Sequence, residues 1–281
     1  MSETPVDQKY TDPDQASKIY FLPNSMTACN LFCGFLSVIR CIQARFTAEE
    51  LGKSPEELYS QAVWLILAAV VFDALDGRLA RLGGRESLFG KEFDSIADVV
   101  SFGMAPALMV YFLILSPEHE AYFRKIGMLI GFIYLLCVGV RLSRFNVVTH
   151  PLMEESQFTA TKDFIGLPAP AAAGMISSLV LLMNQFDVRG LAIFLPALMI
   201  LIAFLMVSSI RYPSFKHIDW TTRLKFQTFI LIIVLVAGIV MVREVGIALI
   251  FLGYIFYGIF LDLKFRMKNR NNDSENNPVN S

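Results

Sequence analysis

Eight stretches of this chain carry no Asp, Glu, Lys or Arg, and they limit its folds more than any other feature: residues 19–39, 58–72, 99–115, 126–140, 164–186, 190–210, 226–242 and 245–261. Together they make up over half of the 281 residues. A bilayer core of about 30 Å takes about 20 helical residues, so stretches of this length are span material. In lipid only helices and closed barrels satisfy every backbone group. Barrel strands alternate in polarity and these stretches do not, so the expected class is an all-α integral membrane protein with about eight transmembrane helices. Charged residues are 17% of the chain, against about a quarter in an ordinary soluble domain. The net charge of -1 gives no basic field for nucleic acid, which is excluded as a partner.

Lys and Arg near span ends are retained on the cytoplasmic side. The N-terminal segment, the 73–98, 141–163 and 211–225 connections and the C-terminal segment hold most of them, including Lys9, Lys18, Arg78, Arg81, Arg85, Arg141, Arg144, Lys216 and Lys268. The opposite loops hold Arg40, Arg45, Lys53, Arg124, Lys125, Arg189 and Arg243. Both termini are therefore expected in the cytoplasm, which in a bacterium places the chain in the inner membrane. Residues 1–18 are polar and contain Glu3, Asp7, Asp12 and Asp14, unlike a cleaved signal peptide, so the first span is expected to stay as an anchor. Residues 266–281 are Asn-rich and read as a disordered cytoplasmic tail. The four cysteines form no CxxC pair, and His119, His150 and His217 have no partner at metal-ligand spacing, so zinc is not expected.

Two of the stretches, 58–72 and 126–140, are too short to cross on their own at 1.5 Å per residue. Span 2 must continue through Asp73 and Asp76, span 3 must begin near Lys91 and take in Asp94 and Asp98, and span 4 must continue through Arg141 and Arg144. Charges at that depth are costly and normally face a bundle interior or a wet cavity, which makes them candidates for function. Asp73 and Asp76 are i,i+3, and Asp94 and Asp98 are i,i+4, so each pair shares a helix face. Four carboxylates brought together at a membrane edge repel one another unless cations neutralise them. All-oxygen ligands suit Mg2+ or Mn2+, and a pair of such ions is the arrangement that clamps a pyrophosphate during in-line phosphoryl displacement. Gly77 and Gly90 let a phosphate or nucleotide approach the backbone, and Arg81 lies near enough to pair with a phosphate or with the acids.

Taken together, Asp73, Asp76, Gly77, Ala80, Arg81, Gly90, Asp94 and Asp98 form the pattern DxxDGxxARx8GxxxDxxxD. The pattern resembles the signature of the CDP-alcohol phosphotransferase family at every fixed position. That resemblance implies that Asp73, Asp76, Asp94 and Asp98 hold two metal ions and that Gly77, Ala80, Arg81 and Gly90 line the CDP site. It also implies that Asp98 is the base for the acceptor hydroxyl. The family's usual core is six membrane helices, so residues 19–216 would be the catalytic membrane domain and 217–265 two additional C-terminal helices. Further matches fall at Leu22, Pro23, Asn24, Thr27 and Asn30, at Ala97 to Pro106, at Arg141 to Asn146, at Gly166 to Pro170 and at Met206 to Lys216. These look like the branch of the family that makes phosphatidylserine, which implies CDP-diacylglycerol and L-serine as substrates and a homodimer in the membrane lipid.

Asn24 and Thr27, at i,i+3, are read with the help of that resemblance as contacts for the CDP-lipid, although such residues near a span start also cap helices. Arg141 and Arg144 share a face and are candidates for a phosphate or the acceptor carboxylate, with Arg144 placed ahead. The plain alternative for both is a positive-inside anchor. Within the family, glycerol 3-phosphate or inositol phosphate in place of serine would ask for additional basic residues. From a different class, a divalent-cation transporter would also place acids in a helical bundle, but has no need of Gly77, Ala80, Arg81 and Gly90 at fixed offsets.

Overall fold

The computed structural model describes residues 20–82, 87–115, 121–148, 164–186, 194–212 and 243–276. Its helices are α1 (Phe21–Phe46), α2 (Pro55–Leu82), α3 (Leu88–Asp98), α4 (Ala105–Val110), α5 (Ala121–Val148), α6 (Ala169–Phe186), α7 (Leu195–Val207) and α8 (Arg243–Asn276). Two π-helical segments, Val99–Met104 and Tyr111–Leu115, join α3 to α4 and extend α4. Among the described residues, six helical segments are long and apolar enough to cross a membrane, Leu88–Leu113 counting as one, and α7 is a shorter apolar helix. The fold is that of an all-helical integral membrane protein. The expected span at 226–242 lies outside the described residues.

Helix α1 shows how such a bundle holds together without a hydrophobic drive between its helices. Its buried residues Thr27, Asn30, Gly34, Ser37, Cys41 and Ala44 recur every three or four positions, while Phe21, Phe32, Phe35 and Phe46 point outward. Small and polar residues inside let backbones come close and hydrogen-bond across helices. Ser37 Oγ donates to the Ala62 carbonyl of α2 at 3.0 Å, and Ser101 Oγ donates to the Asn30 carbonyl at 2.9 Å. A Cβ on Gly34 would overlap Ser101, so only glycine admits this approach. The ~1 kcal/mol that glycine costs a helix interior is offset by that packing.

The start of α2 is capped by Ser54. Ser54 accepts from the backbone N–H of Glu57 at 3.1 Å, Pro55 occupies the first helical position, and Lys53 pairs with Glu57 at 3.0 Å. At the start of α3, Ser87 caps the backbone N–H of Gly90 at 3.1 Å. The π-helical segment after Asp98 bends the hydrogen-bond ladder, and Tyr134 Oη of α5 donates to the Phe102 carbonyl inside it at 3.0 Å. As expected from span length, α2 continues through Asp73 and Asp76, and α5 through Arg141 and Arg144.

Three boundaries differ from the sequence expectation. The fifth span begins at Ala169 rather than residue 164, because Phe164–Ile165 (β1) pairs antiparallel with Arg211–Tyr212 (β2) and Gly166 turns the chain at φ +85°. Only glycine fits that turn, since a Cβ there would meet the Met206 carbonyl. The expected sixth span is α7, which covers Leu195–Val207 of the apolar stretch at 190–210. The third difference is α8, which runs on to Asn276 across residues whose polarity suggested disorder. The good helix formers Leu263, Lys264, Met267 and Lys268 carry it past the apolar part. Phe251 of α8 packs onto Gly174 of α6, and Gly258 of α8 admits the ring of Tyr212.

Candidate active site

The carboxylates converge where α2 and α3 come together at the end of α1. Asp73, Asp76 and Asp94 each offer an oxygen, and these oxygens lie within 4.8 Å of one another. Three carboxylates so close, with Asp76 buried, offer the all-oxygen ligands that suit a hard divalent cation. Thr27 Oγ1 donates to Asp76 Oδ2 at 2.8 Å, so one carboxylate orientation is set by α1. Asp98 lies outside this group of three. It is 5% exposed, accepts from Asn30 Nδ2 at 3.1 Å, and interacts electrostatically with Asp73, Asp94 and Arg141. The expected quartet is thus divided into a three-carboxylate cluster and a deeper, separately held carboxylate.

Thr27, expected as a contact for the CDP-lipid, donates to Asp76 and the Pro23 carbonyl. Asn24 lies against Gly90, where a Cβ would come within 3.2 Å of Asn24 Oδ1. Asn24 Nδ2 is buried with no hydrogen-bond partner among the described residues. Gly77 faces open space, with nothing within 4 Å of where its Cβ would be. The side chains of Ala80 and Arg81 lie outside the described residues.

The two arginines separate. Arg141 faces Asp98 and Asp73, and its Nε is buried with no hydrogen-bond partner among the described residues. Arg144 is exposed one turn on. Of the two candidates, with Arg144 expected ahead, it is Arg141 that the structure turns inward.

Two features escaped the sequence reading. Asn30 was recognised only as part of a match, yet it bonds directly to Asp98; its signal was a polar side chain one helical turn beyond Thr27 in an otherwise apolar span. The second is a tie between α3 and α5. Lys91 Nζ donates to the Asn146 carbonyl at 3.0 Å, and Asn146 Nδ2 donates to Ser95 Oγ at 2.8 Å. This tie fixes the helix bearing Asp94 and Asp98 against the helix bearing Arg141.

The fold and site define a polytopic membrane protein with a cluster of three carboxylates, close enough together to hold a metal ion, at the end of its spans. Residues 20–207 match the family model described as CDP-alcohol phosphatidyltransferase, and the chain belongs to that family. It is 36% identical over 246 residues to a Helicobacter pylori protein named CDP-diacylglycerol--serine O-phosphatidyltransferase, covering 86% of this chain and 90% of that one. It is 39% identical over 194 residues to an archaetidylserine synthase of Methanothermobacter thermautotrophicus, covering 68% of this chain and 69% of that one. A Saccharomyces cerevisiae CDP-diacylglycerol--serine O-phosphatidyltransferase is 38% identical over 151 residues, covering 54% and 50%.

Proposed function

We propose that this chain is a phosphatidylserine synthase, an enzyme that transfers the phosphatidyl group of CDP-diacylglycerol to the hydroxyl of L-serine and releases CMP. The observation that carries the reading is the three-carboxylate cluster beside the buried, Asn30-bonded Asp98, in a chain whose Helicobacter pylori and Saccharomyces cerevisiae relatives are named CDP-diacylglycerol--serine O-phosphatidyltransferase. The proximity of Asp73, Asp76 and Asp94 fits divalent cations. These three, with Asp98 at the inner edge, would hold two ions, Mg2+ or Mn2+. When bound, such ions neutralise the diphosphate and stabilise the charge that develops on departing CMP.

The acyl chains of the donor lie in the bilayer while its cytidine diphosphate reaches over Gly77 and Gly90, beside the Nδ2 donor of Asn24. Arg81 pairs with phosphate. The serine oxygen attacks the phosphorus that bears the diacylglycerol, and its proton passes to Asp98. The bridging P–O bond breaks and its electron pair leaves with CMP. Transfer is direct, with no covalent enzyme intermediate. Arg141, turned toward Asp98, meets the acceptor carboxylate, and Arg144 serves as a cytoplasmic anchor at the phosphate side. Both termini and the site face the cytoplasm. The catalytic membrane domain spans residues 19–216, and the chain works as a homodimer.

Asn30 aims Asp98, so Asn30→Ala is expected to lower kcat about tenfold, the scale of a hydrogen bond to a charged group, with the melting temperature within a few degrees of wild type. Steady-state kinetics with a thermal melt decide it: a melting temperature that collapses along with activity would make Asn30 a packing residue only.

Acceptor identity is tested by supplying the purified protein with CDP-diacylglycerol, either cation, and L-serine, glycerol 3-phosphate or inositol phosphate in turn. Phosphatidylserine from serine alone is the expected product. A phosphatidyl product from a phosphorylated alcohol instead would leave the carboxylate site standing and overturn the serine assignment. Cation uptake into vesicles with no CDP-lipid requirement would favour a transporter.

A further inference from the structure

The C-terminal helix α8 carries a stripe at four-residue spacing, Tyr254, Gly258 and Asp262, that reaches back to the site. Gly258 leaves room for the ring of Tyr212, and the rings of Tyr212 and Tyr254 stack in a tilted pair with centroids 5.8 Å apart. Tyr254 also interacts electrostatically with Arg141, which itself interacts with Asp98 and Asp73. Two polar atoms along this line are buried with no hydrogen-bond partner among the described residues, Arg141 Nε and Tyr212 Oη. A buried guanidinium donor and a buried phenol left in this way mark a place for an acceptor of hydrogen bonds.

Resting on the serine-transfer reading, we propose that α8 closes the acceptor end of the site and that Tyr254, between Arg141 and Tyr212, binds the carboxylate of the amino-acid acceptor jointly with Arg141. Tyr254 is thereby a specificity-determining residue, and Tyr212 holds its ring in place. One acceptor carboxylate neutralises the Arg141 guanidinium. Asp262 is buried and acts electrostatically on Tyr212. Burial first, and Asp262 second, push the Tyr212 phenol up to about 12, so it stays a neutral hydrogen-bond donor at neutral pH. The role of the C-terminal helix, which the family signature does not touch, is then to read the acceptor.

The test compares L-serine with serinol, which keeps the amine and hydroxyl and replaces the carboxylate by CH2OH. With full-length protein, Tyr254→Phe is expected to raise the KM for L-serine about tenfold while the KM for CDP-diacylglycerol keeps its wild-type value. The preference for serine over serinol falls by the same factor. Tyr212→Phe shows a smaller change in the same direction. An unchanged KM for serine in Tyr254→Phe, or parallel losses with serine and serinol, would overturn the role of Tyr254 while leaving serine transfer intact. Wild-type protein that uses glycerol 3-phosphate and not serine would overturn the serine reading itself, and this inference with it.

Discussion

Asp98→Asn is expected to reduce turnover by at least about 10³-fold while the protein still binds CDP-diacylglycerol. The substitution removes the basic oxygen, and with it one negative charge at the inner edge of the ion site, but little packing. An asparagine at this position keeps the carbonyl oxygen that accepts from Asn30 Nδ2, now at 3.1 Å, and it keeps the volume in a place that is 5% exposed. The geometry of α3 against α1 is therefore preserved, while the amide has no affinity for the serine proton at neutral pH. General-base assistance contributes 10²–10⁴-fold in typical enzymes, which sets the expected scale. Single-turnover CMP release and equilibrium binding of the CDP-lipid separate the two steps. Full activity in this variant would remove Asp98 as the base.

Asp76→Asn is expected to act on binding. Asp76 is buried, shares the three-carboxylate cluster with Asp73 and Asp94, and is oriented by Thr27 Oγ1 at 2.8 Å. Loss of one of three converging negative charges lowers cation affinity, because affinity in oxygen sites follows the ligand charge count. Removing even a supporting residue of a metal site costs 10–100-fold, so the cation concentration for half-maximal activity should rise by more than about tenfold. Donor affinity should fall with it, since the diphosphate is held at the same place. Thr27→Val, which removes only the orienting hydroxyl, should shift the cation dependence in the same direction by less. A cation titration of activity in each variant is the check, and an unchanged half-maximal concentration in Asp76→Asn would move the cation site elsewhere.

Much of this site was legible in the chain because span length and charge spacing constrain each other. Stretches 58–72 and 126–140 are too short to cross a bilayer, and that alone carried α2 through Asp73 and Asp76 and α5 through Arg141 and Arg144. Helical spacing then placed Asp73 with Asp76 on one side and Asp94 on the other. What escaped depends on contacts between segments distant in sequence. Asn30 lies in α1 and its partner Asp98 at the end of α3. Arg141 and Arg144 are equivalent by spacing, and only the packing of α5 turns the first inward. Tyr254 lies in the charge-free stretch 245–261, and nothing near it in sequence reveals Arg141. The π-helical segment after Asp98 has no local signature, since the Tyr134 hydroxyl that bonds within it comes from another helix. The shortened fifth span was written in Gly166 and Pro168, but an apolar count passes over both.

The most direct test of the account is to purify the full chain into lipid nanodiscs and supply CDP-diacylglycerol, L-serine and Mn2+ or Mg2+. CMP and phosphatidylserine are then quantified together. The account requires equimolar release of the two, with both lost when serine is omitted or the cation is chelated. CMP released at the same rate without serine, or phosphatidylserine formed at full rate with the cation removed, would contradict it.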